Sequence, residues 1–299
     1  MYYLGLDIGG TTTKAGLIDE TGKILESRKA PTVTGNLDRF LSTLKELIRG
    51  YQNSFPIEAI GIGIRGLHSS RTGAIRVSPN IPCLNNVTLD ALVANQVHVR
   101  VVTENDANAG SYAEFKVGAG EGCQHMVYLT VGTGLGSGVI LNGRLYTGAS
   151  GYGGELGHTI IDPGGRPCGC GARGCLETVV SATGMVTTAR ERMMKSSEPL
   201  TAEVIYEAAS QGDATARAIF EETGRWLGIA FANLINLLNP EAIVVGGGVM
   251  ASGEMLLQPA IDIARTYSFG PSFQDCRIVQ SKLWPDAGMI GAALLARDR

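Results

Sequence analysis

Two stretches of this chain are built alike. Residues 2–19 read YYLGLDIGGTTTKAGLID and residues 126–141 read MVYLTVGTGLGSGVIL. Each is an apolar strand, a turn of glycine and threonine, and a returning apolar strand. In the first, Leu4, Leu6 and Ile8 share one strand face, the turn falls at Gly9–Thr12, and the chain returns from Thr13 to Asp19. In the second, Met126–Val131 runs into Gly132–Gly136 and returns as Gly138–Leu141, with Asn142-Gly143 as a hairpin turn. A third strand, Ala242–Val245, ends in Gly246-Gly247-Gly248 ahead of a helix. A plan repeated in this way predicts two related α/β domains facing one another across a cleft; one large α/β domain with unrelated glycine turns is the alternative.

Apolar spacing predicts a helix over Leu37–Leu47, buried strands over Ile57–Ile64 and Val97–Val102, and a helix over Ala107–Phe115. Thr178 to Leu238 reads as mostly helical, and Ala287 to Arg297 as a final helix.

Glycine occurs 41 times in 299 residues, roughly double the usual share of about 7%. The glycines are bunched after apolar runs, which suits backbone turns that approach a ligand closely. The net charge is −3 and no Lys/Arg cluster occurs, so a nucleic-acid partner is not expected. Asp7 interrupts the amino-terminal apolar run, and no apolar stretch is long enough to span a bilayer. The expectation is a cytoplasmic protein with no membrane partner. Six cysteines in such a protein point to metal or free thiols before disulfides.

Glycine lets backbone N–H groups reach a phosphate, and threonine adds hydroxyl donors without bulk. Asp7, Gly9, Gly10, Thr11 and Thr12 fit such a cradle, and so do Gly132, Thr133 and Gly134. Neither is a GxxxxGK[ST] loop, and the second is no dinucleotide fingerprint because a strand follows it. Asp7 beside a phosphate turn would repel phosphates unless Mg2+ lay between them; a turn-capping Asp is the bland reading. Asn105 and Asp106 follow a strand and open a helix, the edge where α/β ligands bind. Asp106 there is either a base accepting a hydroxyl proton or the cap of the helix. Three cysteines, Cys168, Cys170 and Cys175, fall within eight positions, with His158 ten before the first. Three thiolates and one imidazole make a closed, structural zinc site. It would pin the loop that carries Glu155, His158 and Glu177. Cys83, Cys123 and Cys276 have no such partners.

The segments LGLDIGGTTTKAGLID, ENDANA, LTVGTGLGSGVILNG, GELGH, CGCGARGCLE and IVVGGG, in this order, resemble the ROK family of bacterial sugar kinases and repressors over nearly the whole chain. The resemblance implies a duplicated actin-like, ribonuclease H-like fold with ATP in the cleft. The domains would be 1–117 plus 286–299, and 118–285. It implies Asp106 as catalytic base, Gly66, Asn80, Asn105, Asp106, Glu155, His158 and Glu177 as sugar contacts, and His158, Cys168, Cys170 and Cys175 as Zn2+ ligands. Asp7, Gly9, Gly10, Thr11, Thr12, Lys14, Gly132, Thr133, Gly134, Gly247 and Gly248 would face ATP and Mg2+, and the protein would be a homodimer or higher homo-oligomer. The first strand begins at Tyr2, which leaves no room for the DNA-binding segment of the family's repressors and favours the kinase.

One departure stands out. Where such kinases often carry a GxPGPV-like turn, this chain has Gly63-Ile64-Arg65-Gly66-Leu67-His68-Ser69-Ser70. Arg65 and His68 either alter the accepted hydroxyl pattern or lie on a variable loop. The expected reaction is ATP-dependent phosphorylation of the 6-hydroxyl of a hexose, glucose first. The alternatives are fructose, mannose or N-acetylhexosamines, a polyphosphate donor, and a sugar sensor without turnover.

Overall fold

The computed structural model describes all 299 residues. In chain order the elements are β1 Tyr2–Ile8, β2 Thr12–Asp19, β3 Ile24–Pro31, α1 Leu37–Gln52, β4 Ile57–Ile64, β5 Leu67–His68, β6 Ile75–Val77, α2 Leu89–Val97, β7 Arg100–Glu104 and α3 Asp106–Val117. There follow β8 Met126–Val131, β9 Leu135–Leu141, β10 Arg144–Tyr146, α4 Glu177–Val180, α5 Ala182–Glu191, α6 Ala202–Ser210 and α7 Ala214–Leu238. The chain closes with β11 Ala242–Gly246, α8 Glu254–Tyr267, α9 Gly270–Gln274, β12 Arg277–Gln280 and α10 Ala287–Asp298.

The repetition seen in the sequence is a repetition of topology. One sheet has the order β3-β2-β1-β4-β7 and the other β10-β9-β8-β11-β12. In the first, β1 pairs antiparallel with β2 and parallel with β4, and β7 extends the parallel side. In the second, β11 pairs parallel with both β8 and β12. This is the duplicated ribonuclease H-like plan of actin-like proteins. By packing, the chain divides into a first unit of Met1–Gly122, Gly138–Gly154 and Lys282–Arg299, and a second of Cys123–Ser137 and Glu155–Ser281. The Gly138–Gly154 segment therefore groups with the first unit rather than with 118–285. Gly138 sits tightly against Ser111 and Ala107 of α3, and Ser70 N–H donates to Ser150 O at 3.0 Å.

In the first unit, one sheet face packs Leu4, Leu6, Ile60 and Ile62 against α1 and α2. The other face packs Tyr3, Ile18 and Ala59 against α3 and α10. Helix α10 approaches the strands so closely that a Cβ on Gly61 would collide with the Ala292 carbonyl. Glycine on β4 is thus a requirement of packing rather than of backbone conformation.

Two local expectations are corrected. The apolar run Val97–Val102 is not one strand: Val97 ends α2, His98 takes the left-handed C-cap (φ 56°), and the strand is Arg100–Glu104. The returning strand after the second glycine turn begins at Leu135 rather than Gly138. Gly61→Ala should lower the unfolding free energy by about 1–3 kcal/mol through overpacking, measured as a reduced urea midpoint; an unchanged midpoint would show that α10 can retreat.

Candidate active site

In the first unit, the carboxyl ends of β1, β4 and β7 lie side by side. The registers Asp7↔Gly63 and Gly63↔Glu104 bring Asp7, the Arg65–Gly66 turn and the Asn105–Asp106 junction to one edge. Gly9 N–H closes the first turn on Thr12 O at 3.0 Å, and Gly10 faces Asn80 so closely that an added Cβ would lie only 3.2 Å from the Asn80 Cβ. Gly9, Thr11 and Thr12 are exposed. Lys14, paired with Asp7 across β1 and β2, donates to Pro285 O at 2.9 Å and lies 3.8 Å from Asp286.

The cap of α3 is Asn105, not Asp106. Its Oδ1 accepts from Ala107 and Asn108 N–H at 2.9 and 3.1 Å, and its Nδ2 donates to Gly66 O at 3.2 Å. Glu104, which is buried, accepts from Asn105 N–H at 3.0 Å and Asn108 Nδ2 at 3.1 Å, and pairs with Arg299 at 2.9 Å. Asp106 is thereby relieved of capping; one oxygen accepts from Ala107 N–H at 3.0 Å. Burial raises the Asp106 carboxyl above its ordinary range, against Arg65, the Ala107 N–H and His68. Burial also pushes Asp7 up to about 6, helped by the charges of Asp106 and Asp286 and opposed by Lys14. His68 Nε2, when protonated, donates to Ile64 O at 3.2 Å; burial lowers the imidazole's pKa, against the pull of Glu104, Asp106 and Asp90. Arg65 and His68 are therefore electrostatic neighbours of Asp106 rather than remote loop residues.

In the second unit, Gly132 N–H closes the other turn on Gly134 O at 2.9 Å. Three outside groups hold that turn: Ala182 N–H on Gly132 O (2.8 Å), Thr183 Oγ1 on Thr133 O (2.8 Å), and Glu177 Oε2, which accepts from Leu135 N–H at 2.7 Å. Gly247 has φ 94°, and a Cβ there would collide with Val131 O. Gly248 has open space on its Cβ side. Glu155 is exposed, and Leu156 N–H donates to Ser137 Oγ at 3.0 Å.

His158, Cys168, Cys170 and Cys175 present donor atoms that all lie within 4.8 Å of one another. His158 Nδ1 is 3.6 Å from Cys168 Sγ, and Cys170 Sγ is 3.6 Å from Cys175 Sγ. A tetrahedral cation with Zn–S and Zn–N bonds of about 2.0–2.3 Å needs edges of about 3.5–3.8 Å, so these distances fit. The sulfurs are too far apart for a disulfide, which needs about 2.05 Å. Burial and the adjacent thiols push Cys175 up to about 12, a crowding that a bound cation would relieve. Of the other thiols, Cys123 and Cys276 are buried and Cys83 is half-buried; Arg277 donates to Cys123 Sγ at 3.2 Å.

Sequence reasoning did not single out Glu104, Asp286 or the supporting Ser137. Glu104 was within reach, being the carboxylate directly ahead of Asn105; Asp286 comes to Asp7 only through the packing of α10.

Residues 3–299 match the ROK family, and the chain belongs to that family. It is 38% identical to a glucokinase of Thermotoga maritima, over 99% of this chain and 97% of that protein. Among solved structures, a ROK family glucokinase from Streptomyces griseus in complex with glucose and AMPPNP matches with a TM-score of 0.87 at 35% identity, covering 100% of both chains. A ROK hexokinase from Thermus thermophilus matches with a TM-score of 0.86 at 33% identity, over 99% of this chain and 98% of that one. No helix is long and apolar enough to cross a membrane.

Asp7 carries a testable cost. Its folded pKa of about 6 lies above the ordinary carboxylate value of 3.8, so its ionisation costs the fold stability that grows as pH rises from about 4, is full above pH 6 and is absent well below pH 4. Asp7→Asn should therefore be more stable than wild type at pH 8, by on the order of 2–3 kcal/mol, with the gap closing as pH falls. Urea unfolding of nucleotide-free protein at the two ends of that range checks it.

Proposed function

We propose that the chain is an ATP-dependent kinase that transfers the γ-phosphoryl group of ATP to the 6-hydroxyl of a hexose, glucose. The observation that carries this reading is Asp106: a carboxylate at the sheet edge, freed from capping by Asn105, with its charge held by Arg65 and His68. The full-length likeness to glucokinases supports glucose as the acceptor.

Asn105, Asn80, Gly66, Glu155, His158 and Glu177 bind the sugar hydroxyls, with amide and carboxylate groups matched to donors and acceptors. Asp106 accepts the proton of the 6-hydroxyl as its oxygen attacks the γ-phosphorus; the bond to the β–γ bridging oxygen breaks and ADP leaves. The N–H groups and hydroxyls of Gly9–Thr12 and Gly132–Gly134, with Lys14, hold the phosphates, and Gly247 and Gly248 let the nucleotide approach the backbone. The clustered Asp7, Asp106 and Asp286 suit a nearby cation, and Asp7 would hold Mg2+ through its water shell. When bound, Mg2+ supplies neutralisation of phosphate charge.

His158, Cys168, Cys170 and Cys175 hold a structural Zn2+ in a closed site. His158 Nδ1 faces Cys168 Sγ at 3.6 Å, so Nδ1 would be the metal ligand and Nε2 would remain for a hydroxyl. Thiolates of this kind persist in a reducing compartment, the cytoplasm.

ADP release from Mg-ATP across glucose, mannose, fructose, N-acetylglucosamine and N-acetylmannosamine tests the reading. Glucose should turn over at about 1–100 per second; silence on every sugar by folded, metal-loaded protein would reject it. Asp106→Asn should lower kcat by about two to four decades while leaving glucose affinity within a few-fold. In the wild type, the acidic limb of kcat should lie above the ordinary carboxylate range, because the base must be ionised and burial raises its pKa. Metal analysis should find one zinc per chain, and stripping it should lower Tm as well as activity; full stability of metal-free protein would remove the zinc assignment.

A further inference from the structure

Arg166 lies two residues before the first cysteine of the metal cluster, yet its side chain turns away from that cluster. Its guanidinium is mostly buried, with 21% of the side chain exposed. NH1 donates to Thr178 O at 2.8 Å and Gly184 O at 3.2 Å. NH2 donates to Thr188 Oγ1 at 2.9 Å and to Glu191 Oε2, while Nε donates to Glu191 Oε1 at 3.1 Å. The fork therefore spans the start of α4 and the length of α5 and ties both to the metal loop. Its own backbone is fixed in turn, since Arg166 O accepts from Gly174 N–H at 2.8 Å.

The same two helices supply all three outside ties to the Gly132–Gly134 turn. Glu177 opens α4 and receives Leu135 N–H. Ala182 and Thr183 open α5 and donate to Gly132 O and Thr133 O. With those two carbonyls held, the N–H groups of the turn keep one direction. Preorganised N–H groups bind a phosphate without first being ordered, and small misplacements are costly.

We propose that Arg166 is a positioning residue for nucleotide phosphates, acting through α4 and α5 to hold the Gly132–Gly134 turn in its binding conformation. The inference rests on the phosphate-binding role proposed for that turn. The metal loop thereby serves the nucleotide as well as the sugar. Of the groups assigned to the sugar, only Glu177 lies on a helix that the fork holds; Glu155 and His158 keep other anchors, the Leu156–Ser137 bond and the cluster itself, so sugar binding depends less on the fork than the Gly132–Gly134 turn does. A lysine cannot replace it, because one ammonium does not reproduce a planar fork that meets five acceptors.

The test compares wild type with Arg166→Leu in metal-loaded protein, using titration with Mg-AMPPNP and, separately, with glucose. The expected result is unchanged zinc content, AMPPNP affinity weakened about tenfold or more, and glucose affinity altered by less than about threefold. The KM for ATP should rise in step, and added guanidinium ion should restore part of the nucleotide affinity. Should Arg166→Leu fail to fold, Thr183→Val removes one bond of the same path, and Thr188→Val removes the Arg166 bond together with the Thr188 hydroxyl's bond to Gly184 O. Each should weaken AMPPNP by about two- to fivefold with glucose affinity unchanged. Intact AMPPNP affinity in these variants, or equal loss of zinc, glucose and AMPPNP, would overturn the proposal. A wild type that binds glucose but no nucleotide would defeat the kinase reading instead, and is distinguished by that control.

Discussion

The first unit depends on how closely α10 lies on the sheet. Small residues remove the spacing that side chains would impose: Gly5 meets Met289, Gly61 meets Ala292, and Gly291 meets Ala109 of α3. The helix crosses β1, then β4, then reaches β7, where Arg100 donates to Ala296 O at 2.6 Å. Its start brings Gly288 and Asp286 to Asp7 and Lys14. Its end brings Arg299 to Glu104, which in turn orients Asn105. One helix thus sets the electrostatics at the Gly9–Thr12 turn and the geometry of the Asn105–Asp106 junction. A larger residue at Gly61 would act on both sites although it touches neither.

A shared device recurs in both units. Asn105 and Glu177, two of the side chains proposed to bind substrate, are not loose arms; each is also bonded to the backbone of a neighbouring segment. Asn105 caps α3 with one end of its amide and holds Gly66 O with the other. Glu177 gives one carboxylate oxygen to Leu135 N–H, next to the second glycine turn. Locking a rotamer in this way reduces the entropy that binding must remove. It also means that truncating either residue disturbs more than one contact, so alanine variants there would overstate the direct share in binding.

The sequence made the repeated plan, the glycine turns and the cysteine cluster legible because each depends on local patterning. β1, β4 and β8 are buried runs that read as strands wherever they fall. The edge strand β3, ILESRKAP, was not singled out, since only a few of its side chains are even half-buried. The Val97–Val102 run was ambiguous for a physical reason: Val97 is buried as the last residue of α2 and Val101 as part of β7, with His98 and Arg100 exposed between them, so a strand-like alternation spans a change of conformation. Asn and Asp are comparably good N-caps, so spacing could not separate Asn105 from Asp106; the hydrogen bonds do. Glu104, Asp286 and Arg166 act on residues distant in sequence or across helices, and pattern carries no trace of such partners.

The proposed metal site of His158, Cys168, Cys170 and Cys175 would account for the order of the polar loop that bears it. Between His158 and Cys175 the chain reads HTIIDPGGRPCGCGARGC, with five glycines and little that can be buried; Ile160 is 49% exposed, and Gly174 and Cys175 are the buried members. Such a segment gains little from hydrophobic burial and loses much conformational entropy on ordering. Four donor atoms within 4.8 Å of one another would, with a cation bound, replace the missing core with a cross-link whose strength does not depend on area. Arg166 extends that cross-link by hydrogen bonds into α4 and α5. Order introduced at one point of a glycine-rich loop is thus carried to a glycine turn that has no core of its own. That turn can stay open to solvent on one side while its N–H groups remain aimed.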